Sequence, residues 1–368
     1  MARTHIAFIV ESAHGHINPI LGITSELVRR GHRVTCAVKD YFAPRVADSG
    51  AEPLVYEPLD YRTRFIPSIE QYNRWNDKAL IMERWNEFEQ EEIEDALPQL
   101  ELLYREKRPD LIIYDLRNLA GRSLACKWGL PKIEHAPMMI ESNECNQLER
   151  PYDEDLIIVS VPRFFQPDVE RLDGRFHFVG PIYTNRGFFQ PWKPSPSPEP
   201  LVLVSATTAL PQIEFYKLVI CALEIVPCRV VLSIGNVIPQ EALDTLPGHF
   251  ELNHSSSQMD ILDQASLYIG QGGQGSTLEA IYCGVPLLLI PPGKLFEQVA
   301  HRVAQLGLGM YIDEAAASVE EVRRLTLFLL GDDGTRRRVK EAQKTMSETP
   351  GAKLSADLIL KHLSAQLP

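Results

Sequence analysis

Apolar residues along the chain fall into two recurring patterns. Runs of strand length occur at Ile6–Val10, Val34–Val38, Leu111–Tyr114, Lys132–His135 and Leu156–Val161; most are unbroken, as in strands covered on both faces. Between them, apolar residues recur three and four apart. Ile20, Ile23, Leu27 and Val28 share one face of a predicted helix, with Pro19 in its first turn and Gly31 closing it. Ser68 to Lys107 reads as a long acidic helix whose charge predicts a solvated face. The alternation resumes with strands at Leu201–Val204, Arg229–Ile234, Leu267–Ile269 and Leu287–Ile290. Helices are predicted at Gln212–Ile225, near Ile261, at Ser276–Cys283, at Val319–Leu330 and at Thr335–Met346. Strand and helix in alternation predict parallel sheets.

The two stretches of alternation are separated by residues 186–200, where five prolines stand among polar and aromatic residues. Such a segment forms a semi-rigid connector. The expected organisation is therefore α/β, with a first Rossmann-like domain over 1–185, a linker over 186–200 and a second over 201–368. The last helix is free to pack back on the first domain.

Composition narrows the partners. A formal charge of −12 argues against nucleic acid or an anionic membrane as the main partner. No apolar run approaches the ~20 residues of a membrane span, and MARTHIAFIVES reads as a strand rather than a signal peptide. Six cysteines with no CxxC pair fit reduced thiols in a cytoplasm and no zinc site.

In open parallel sheets, ligands sit at the carboxyl ends of the strands. Two such ends carry candidate chemistry. His14, Gly15 and His16 follow the first strand, and Asp115 ends the strand at Leu111–Tyr114. A carboxylate there can orient a histidine from a neighbouring strand tip, or it can cap the following helix. In the second half, Leu267 to Pro292 reads as strand, glycine loop, helix, turn and strand. Gly270, Gly272, Gly273 and Gly275 let backbone N–H groups approach a ligand, and the positive helix end favours an anion such as phosphate. The same glycines satisfy G-x-G-x-x-G. A dehydrogenase fingerprint is disfavoured because PPGK stands where an acidic residue should end the next strand. Asp153-Glu154-Asp155 has the spacing of a metal-binding DxD but reads as surface charge beside Pro151.

The motif HGHINPILGITSELVRRGHRVT resembles the opening of family 1 glycosyltransferases, especially the bacterial macrolide-type branch. RPDLIIYDLRNLAGRSLACKWGLP, VPRFFQPDVERLDGRFHFVGPIY and QGGQGSTLEAIYCGVPLLLIP resemble later segments of that family, in the same order. The resemblance implies two facing Rossmann-like domains of the GT-B architecture and metal-independent hexosyl transfer. The acceptor would bind in the first domain and a UDP or dTDP sugar in the second, as co-substrate rather than cofactor. His16 matches the family's general base and Asp115 its charge partner, while His14 is a structural neighbour. The donor-binding positions map to Gly235, Gln258, Gln271, Gly272, Gly273, Gly275, Ser276 and Glu279.

Several donor positions depart from the family pattern. Gln271 stands in place of the signature histidine, Ser255 in place of a base-stacking aromatic, and Thr207 in place of a loop glycine. The sugar-gripping acidic–Gln pair falls on Leu295 and Phe296, or on Glu297 and Gln298 if the loop shifts. Lys294 and His254 are the cations at hand to replace lost contacts. Two functions follow as expectations. One is glycosyl transfer to a hydroxyl of a small hydrophobic natural product in antibiotic biosynthesis, with Phe65, Ile66, Trp75, Trp85, Phe88, Met138 and Met139 as candidate acceptor walls. The other is a degenerate relative of the same fold, using His16 and Asp115 for different acid–base chemistry or serving as a non-catalytic partner. The oligomeric state stays open, a homodimer included.

Overall fold

The computed structural model describes residues 3–60, 64–65, 77–140, 154–183, 191–193, 197–206, 213–235, 243, 246–254 and 257–366. The chain divides into two compact units, Met1–Phe188 with Thr349–Pro368, and Phe189–Glu348.

The first unit runs β1 (His5–Ile9), α1 (His14–Arg29), β2 (Arg33–Val38), α2 (Ala43–Asp48), β3 (Glu52–Val55), α3 (Lys78–Tyr104) and β4 (Leu111–Asp115). It continues with α4 (Leu119–Trp128), β5 (Lys132–Ala136), β6 (Ile157–Val159) and β7 (Phe176–Phe178). Its seven strands lie in the order β3-β2-β1-β4-β5-β6-β7, every pair parallel. β1 explains the unbroken apolar run. Ile6, Phe8 and Val10 enter a core with Ile17, Ile20 and Leu27 of α1. Ala7 and Ile9 enter the opposite core with Leu100 and Tyr104 of α3 and Leu124 of α4. Gly121 of α4 is needed for that second packing, because a Cβ there would lie 2.9 Å from the Tyr114 Cβ.

The second unit repeats the plan with β8 (Leu201–Ser205), α5 (Ile213–Leu223), β9 (Arg229–Ser233), β10 (Phe250–Asn253), α6 (Gln258–Leu262) and β11 (Leu267–Gly270). Then come α7 (Gln274–Tyr282), β12 (Leu287–Leu289), α8 (Lys294–Gln305), β13 (Gly309–Tyr311), α9 (Val319–Gly331) and α10 (Asp333–Ser347). Its six parallel strands lie in the order β10-β9-β8-β11-β12-β13. In each sheet the first strand of the unit sits beside the fourth, and the chain winds away from that pair in both directions. This is the doubly wound order, with a switch point at β1/β4 and another at β8/β11.

The last helix, α11 (Gly351–Gln366), belongs to the first unit. Ala356, Ile359, Leu360 and Leu363 share the α1 core, and Arg30 at the end of α1 pairs with Asp357 at 2.6 Å. Burying each large apolar side chain of this set contributes about 1.5–3 kcal/mol.

Three local expectations are corrected. The first helix begins at His14 rather than near Pro19, because the Ala13 carbonyl accepts from the amides of both His16 (3.0 Å) and Ile17 (2.9 Å) and starts the turn early. Pro19 thus lies inside α1. The acidic helix is not simply a solvated face, since Trp85, Phe88 and Glu92 of α3 are buried. Glu154 is not surface charge either. It is 3 % exposed and bonded by the Tyr114 hydroxyl (2.8 Å) and Lys132 (2.5 Å); Asp153 lies outside the described residues.

Candidate active site

His16 stands in the first turn of α1, just after β1, and Asp115 is the last residue of β4. The register pairs Ile9 with Tyr114, so both residues come to the same edge of the sheet at the β1/β4 switch point. The Nδ1 atom of His16 lies 2.9 Å from Oδ1 and 2.9 Å from Oδ2 of Asp115. Asp115 is fully buried, whereas the His16 side chain keeps 12 % of its surface exposed.

Burial is the largest influence on Asp115 and pushes its pKa up. It is outweighed by the charge of His16 and the neighbouring imidazoles, which hold the carboxyl well below its usual range. An ionised carboxylate only accepts hydrogen bonds, so Nδ1–H of His16 is the donor and Nε2 carries the free lone pair. The Arg117 amide donates to Oδ1 at 2.9 Å. The helix that follows is capped by Asn118, whose Oδ1 accepts from Gly121, and not by Asp115. His14 is held by Arg45, which donates to its Nδ1 at 2.7 Å.

Two residues here, His135 and Arg117, were not singled out from the sequence. His135, paired in register with Asp115, is fully buried; its Nδ1 is 3.8 Å from Oδ2 and its Nε2 is 2.8 Å from the Ser160 hydroxyl. At 3.8 Å that contact is too long for a hydrogen bond. Its place at a strand tip next to Asp115 was the available signal. Arg117 lies over the ring of Trp85 at 4.3 Å, and Trp85, Phe65 and Phe88 pack together with centroids 5.1–6.4 Å apart. An aromatic cluster thus adjoins the Asp115 turn; Met139 is buried and Met138 half-buried, while Ile66 and Trp75 lie outside the described residues.

In the second unit the glycine loop follows β11 at the β8/β11 switch point. Gln271 is buried at the strand tip, 3 % exposed. Gly272 has φ +77°, and a Cβ there would lie 2.8 Å from the Phe296 carbonyl oxygen. That close approach brings the loop against the first turn of α8, which carries half-buried Glu297 and exposed Gln298. Gly273 is the N-cap of α7 and offers no side-chain cap to the helix. Added Cβ atoms at Gly273 and Gly275 would meet nothing within 4 Å, so open space lies beside this helix start. Further along, Gln258 donates to buried Glu279 at 2.8 Å. Ser276 is in the first turn of α7. Gly235 follows β9, two strands away in the sheet, with φ +56°, and its carbonyl accepts from His254 Nδ1 at 2.9 Å. Thr207, Ser255 and the side chains of Lys294 and Leu295 lie outside the described residues.

Among the described residues no group of three or more His, Cys, Asp or Glu side chains is placed to hold a metal ion. None of the helices described is long and apolar enough to cross a membrane.

Residues 223–355 match the glycosyltransferase family 28 C-terminal domain. The NDP-glycosyltransferase YjiC of Bacillus licheniformis is 34% identical over 98% of this chain and 98% of its own. The oleandomycin glycosyltransferase of Streptomyces antibioticus is 29% identical over 98% of this chain and 91% of its own. Among solved structures, the glycosyltransferase of kitacinnamycin aligns at a TM-score of 0.83 and 27% identity, covering 98% of this chain and all of that one (100%). The calicheamicin glycosyltransferase CalG4 aligns at 0.80 and 28%, covering 100% of both. A relative this similar from end to end, on the same pair of parallel-sheet α/β domains, settles the family: the chain belongs to the NDP-glycosyltransferases of GT-B architecture and is an enzyme that transfers sugar from a nucleotide donor.

Proposed function

We propose that the chain moves a hexosyl group from a UDP or dTDP sugar to a hydroxyl of a small hydrophobic natural product, with His16 as general base and Asp115 as its partner. The observation that carries this reading is the double 2.9 Å contact of His16 Nδ1 with a buried carboxylate, which leaves Nε2 as the free basic atom. An alcohol is a poor nucleophile near neutral pH. With Nε2 taking its proton, the hydroxyl oxygen bonds to the anomeric carbon as the bond to the nucleoside diphosphate breaks. The proton ends on His16, and Asp115 stabilises the imidazolium so formed. A single displacement of this kind inverts the anomeric configuration.

The leaving diphosphate suits the start of α7, where main-chain N–H groups and the helix dipole favour negative charge. Glu279 and Gln258 supply an acceptor and a donor for hydroxyls on the nucleotide, and Glu297 and Gln298 are at hand for those of the sugar. The Phe65–Trp85–Phe88 cluster gives an apolar wall suited to a hydrophobic acceptor. An antibiotic acceptor, as the name of the oleandomycin enzyme indicates for that relative, fits such a wall. The described cysteines are unpaired, which suits work in the reducing cytoplasm.

The test is release of UDP or dTDP from their glucose and deoxysugar conjugates in the presence of hydroxylated polycyclic and macrolide acceptors. Transfer that requires His16 supports the reading. Full turnover in His16→Ala would sink the assignment of the base while leaving the family membership intact.

A further inference from the structure

Beside the His16–Asp115 pair lies a second set of buried acids that glycosyl transfer as described does not use. Glu11 stands two residues beyond the end of β1, one past the position level with Asp115, and is 8 % exposed. Glu92 of α3 is 2 % exposed, and its Oε1 has no hydrogen-bond partner. Tyr56, also buried, accepts from the Asn118 amide nitrogen at 3.0 Å. Among the described residues the Glu11 carboxyl has neither a hydrogen bond nor an ion pair.

The cations that face Glu11 are already engaged by other carboxylates. His16 and Lys39 are the cations within its influence, against Asp115, Asp60 and Glu92. Lys39 is already taken by Asp60 at 3.1 Å, and His16 by Asp115 at 2.9 Å. A buried carboxyl without a cation is costly, and a positively charged ligand removes that cost. Its position beside the base places the missing charge near the reacting hydroxyl.

We propose that Glu11 is a recognition group for the acceptor, and that the acceptor of this enzyme carries a protonated amine close to the hydroxyl that receives the sugar. This rests on the reading that the acceptor binds beside His16. Glu92 interacts with Glu11, so ionising both buried acids is disfavoured unless a cation arrives. Consistent with the geometry, burial raises the Glu11 carboxyl to about 7, poised to ionise when a cation comes near.

Tyramine and 4-propylphenol share a ring and a hydroxyl and differ in the ammonium group, so they serve as probes. Their binding is measured by titration calorimetry on the full chain, with no donor present, in wild type, Glu11→Gln and Glu11→Ala. The expected result is tighter binding of tyramine by about tenfold in wild type, the weight of a charge-assisted contact, and a ratio near one in both variants. Tyramine binding no tighter than 4-propylphenol, or a preference that survives both substitutions, overturns the proposal. Because binding rather than turnover is read, the two readings fail separately. An amine preference that depends on Glu11 in a protein whose transfer ignores His16 would break the assigned base and keep the amine site.

Discussion

The Nδ1 atom of His16 is equidistant, at 2.9 Å, from the two carboxylate oxygens of Asp115. The ring is therefore fixed in orientation and tautomer, with Nε2 directed away from the carboxylate. His16→Ala is expected to lower kcat by roughly 10²–10⁴-fold, the usual weight of a general base. The variant should still fold but melt at a lower temperature, because the buried Asp115 carboxylate loses its nearest imidazole. Asp115→Asn should also slow turnover sharply, since an amide no longer holds the donor tautomer. Steady-state kinetics with release of the nucleoside diphosphate checks both.

Removing Asp115 altogether has a second cost. Its carboxylate is fully buried between His16 and His135. Asp115→Ala leaves those imidazoles without the charge they face, and should destabilise the first unit by about 3–5 kcal/mol. Urea unfolding followed by tryptophan fluorescence would show it, and a loss below ~1 kcal/mol would mean that the buried pair is energetically idle.

The two acids near this pair give stability a pH dependence of opposite sign to the common one. Burial raises Glu11 to about 7 and Glu92 to about 8, from an ordinary 4.5. A carboxyl that holds its proton more tightly folded than unfolded stabilises the native state at acid pH. That contribution is lost as pH rises from the unfolded value through the folded one. The expected fall between about pH 5 and pH 8 is on the order of 3 kcal/mol for the coupled pair. Glu92→Gln should flatten the slope of the urea midpoint against pH; an unchanged slope would show that these groups titrate normally.

The glycine loop allows a comparison within one motif. Gly272→Ala meets both a positive φ and the Phe296 carbonyl, so a loss of about 1–3 kcal/mol is expected. Gly275→Ala meets open space and should keep the fold. If a diphosphate lies against this helix start, the added methyl should nonetheless weaken UDP and dTDP binding by about tenfold or more, a cost of ~1.4 kcal/mol. Thermal shift with each nucleotide reads both quantities, and wild-type affinity in Gly275→Ala would move the anion elsewhere.

The strands that the apolar pattern revealed are those covered on both faces. Ile6–Val10 and Leu267–Ile269 are buried throughout, so their composition carries the signal. The four strands it did not reveal, β3, β7, β10 and β13, are the four sheet edges. An edge strand pairs on one side only, and β3 even carries Pro53, which an edge tolerates. The same limit applied to the site. His16 and Asp115 were legible because strand tips at a switch point are few. Glu11 and Glu92 were not, because a buried acid and a surface acid look alike in a sequence until packing is known.

The return of α11 to the first unit has a consequence for synthesis. Ile359 and Leu363 fill the same core as Ile17 and Ile20 of α1, yet they leave the ribosome only after the whole Phe189–Glu348 unit. The opening sheet can form while translation continues, but one side of its first helix stays uncovered until α11 emerges. Nascent molecules should therefore gain protease resistance in the Phe189–Glu348 unit before the amino-terminal one is complete.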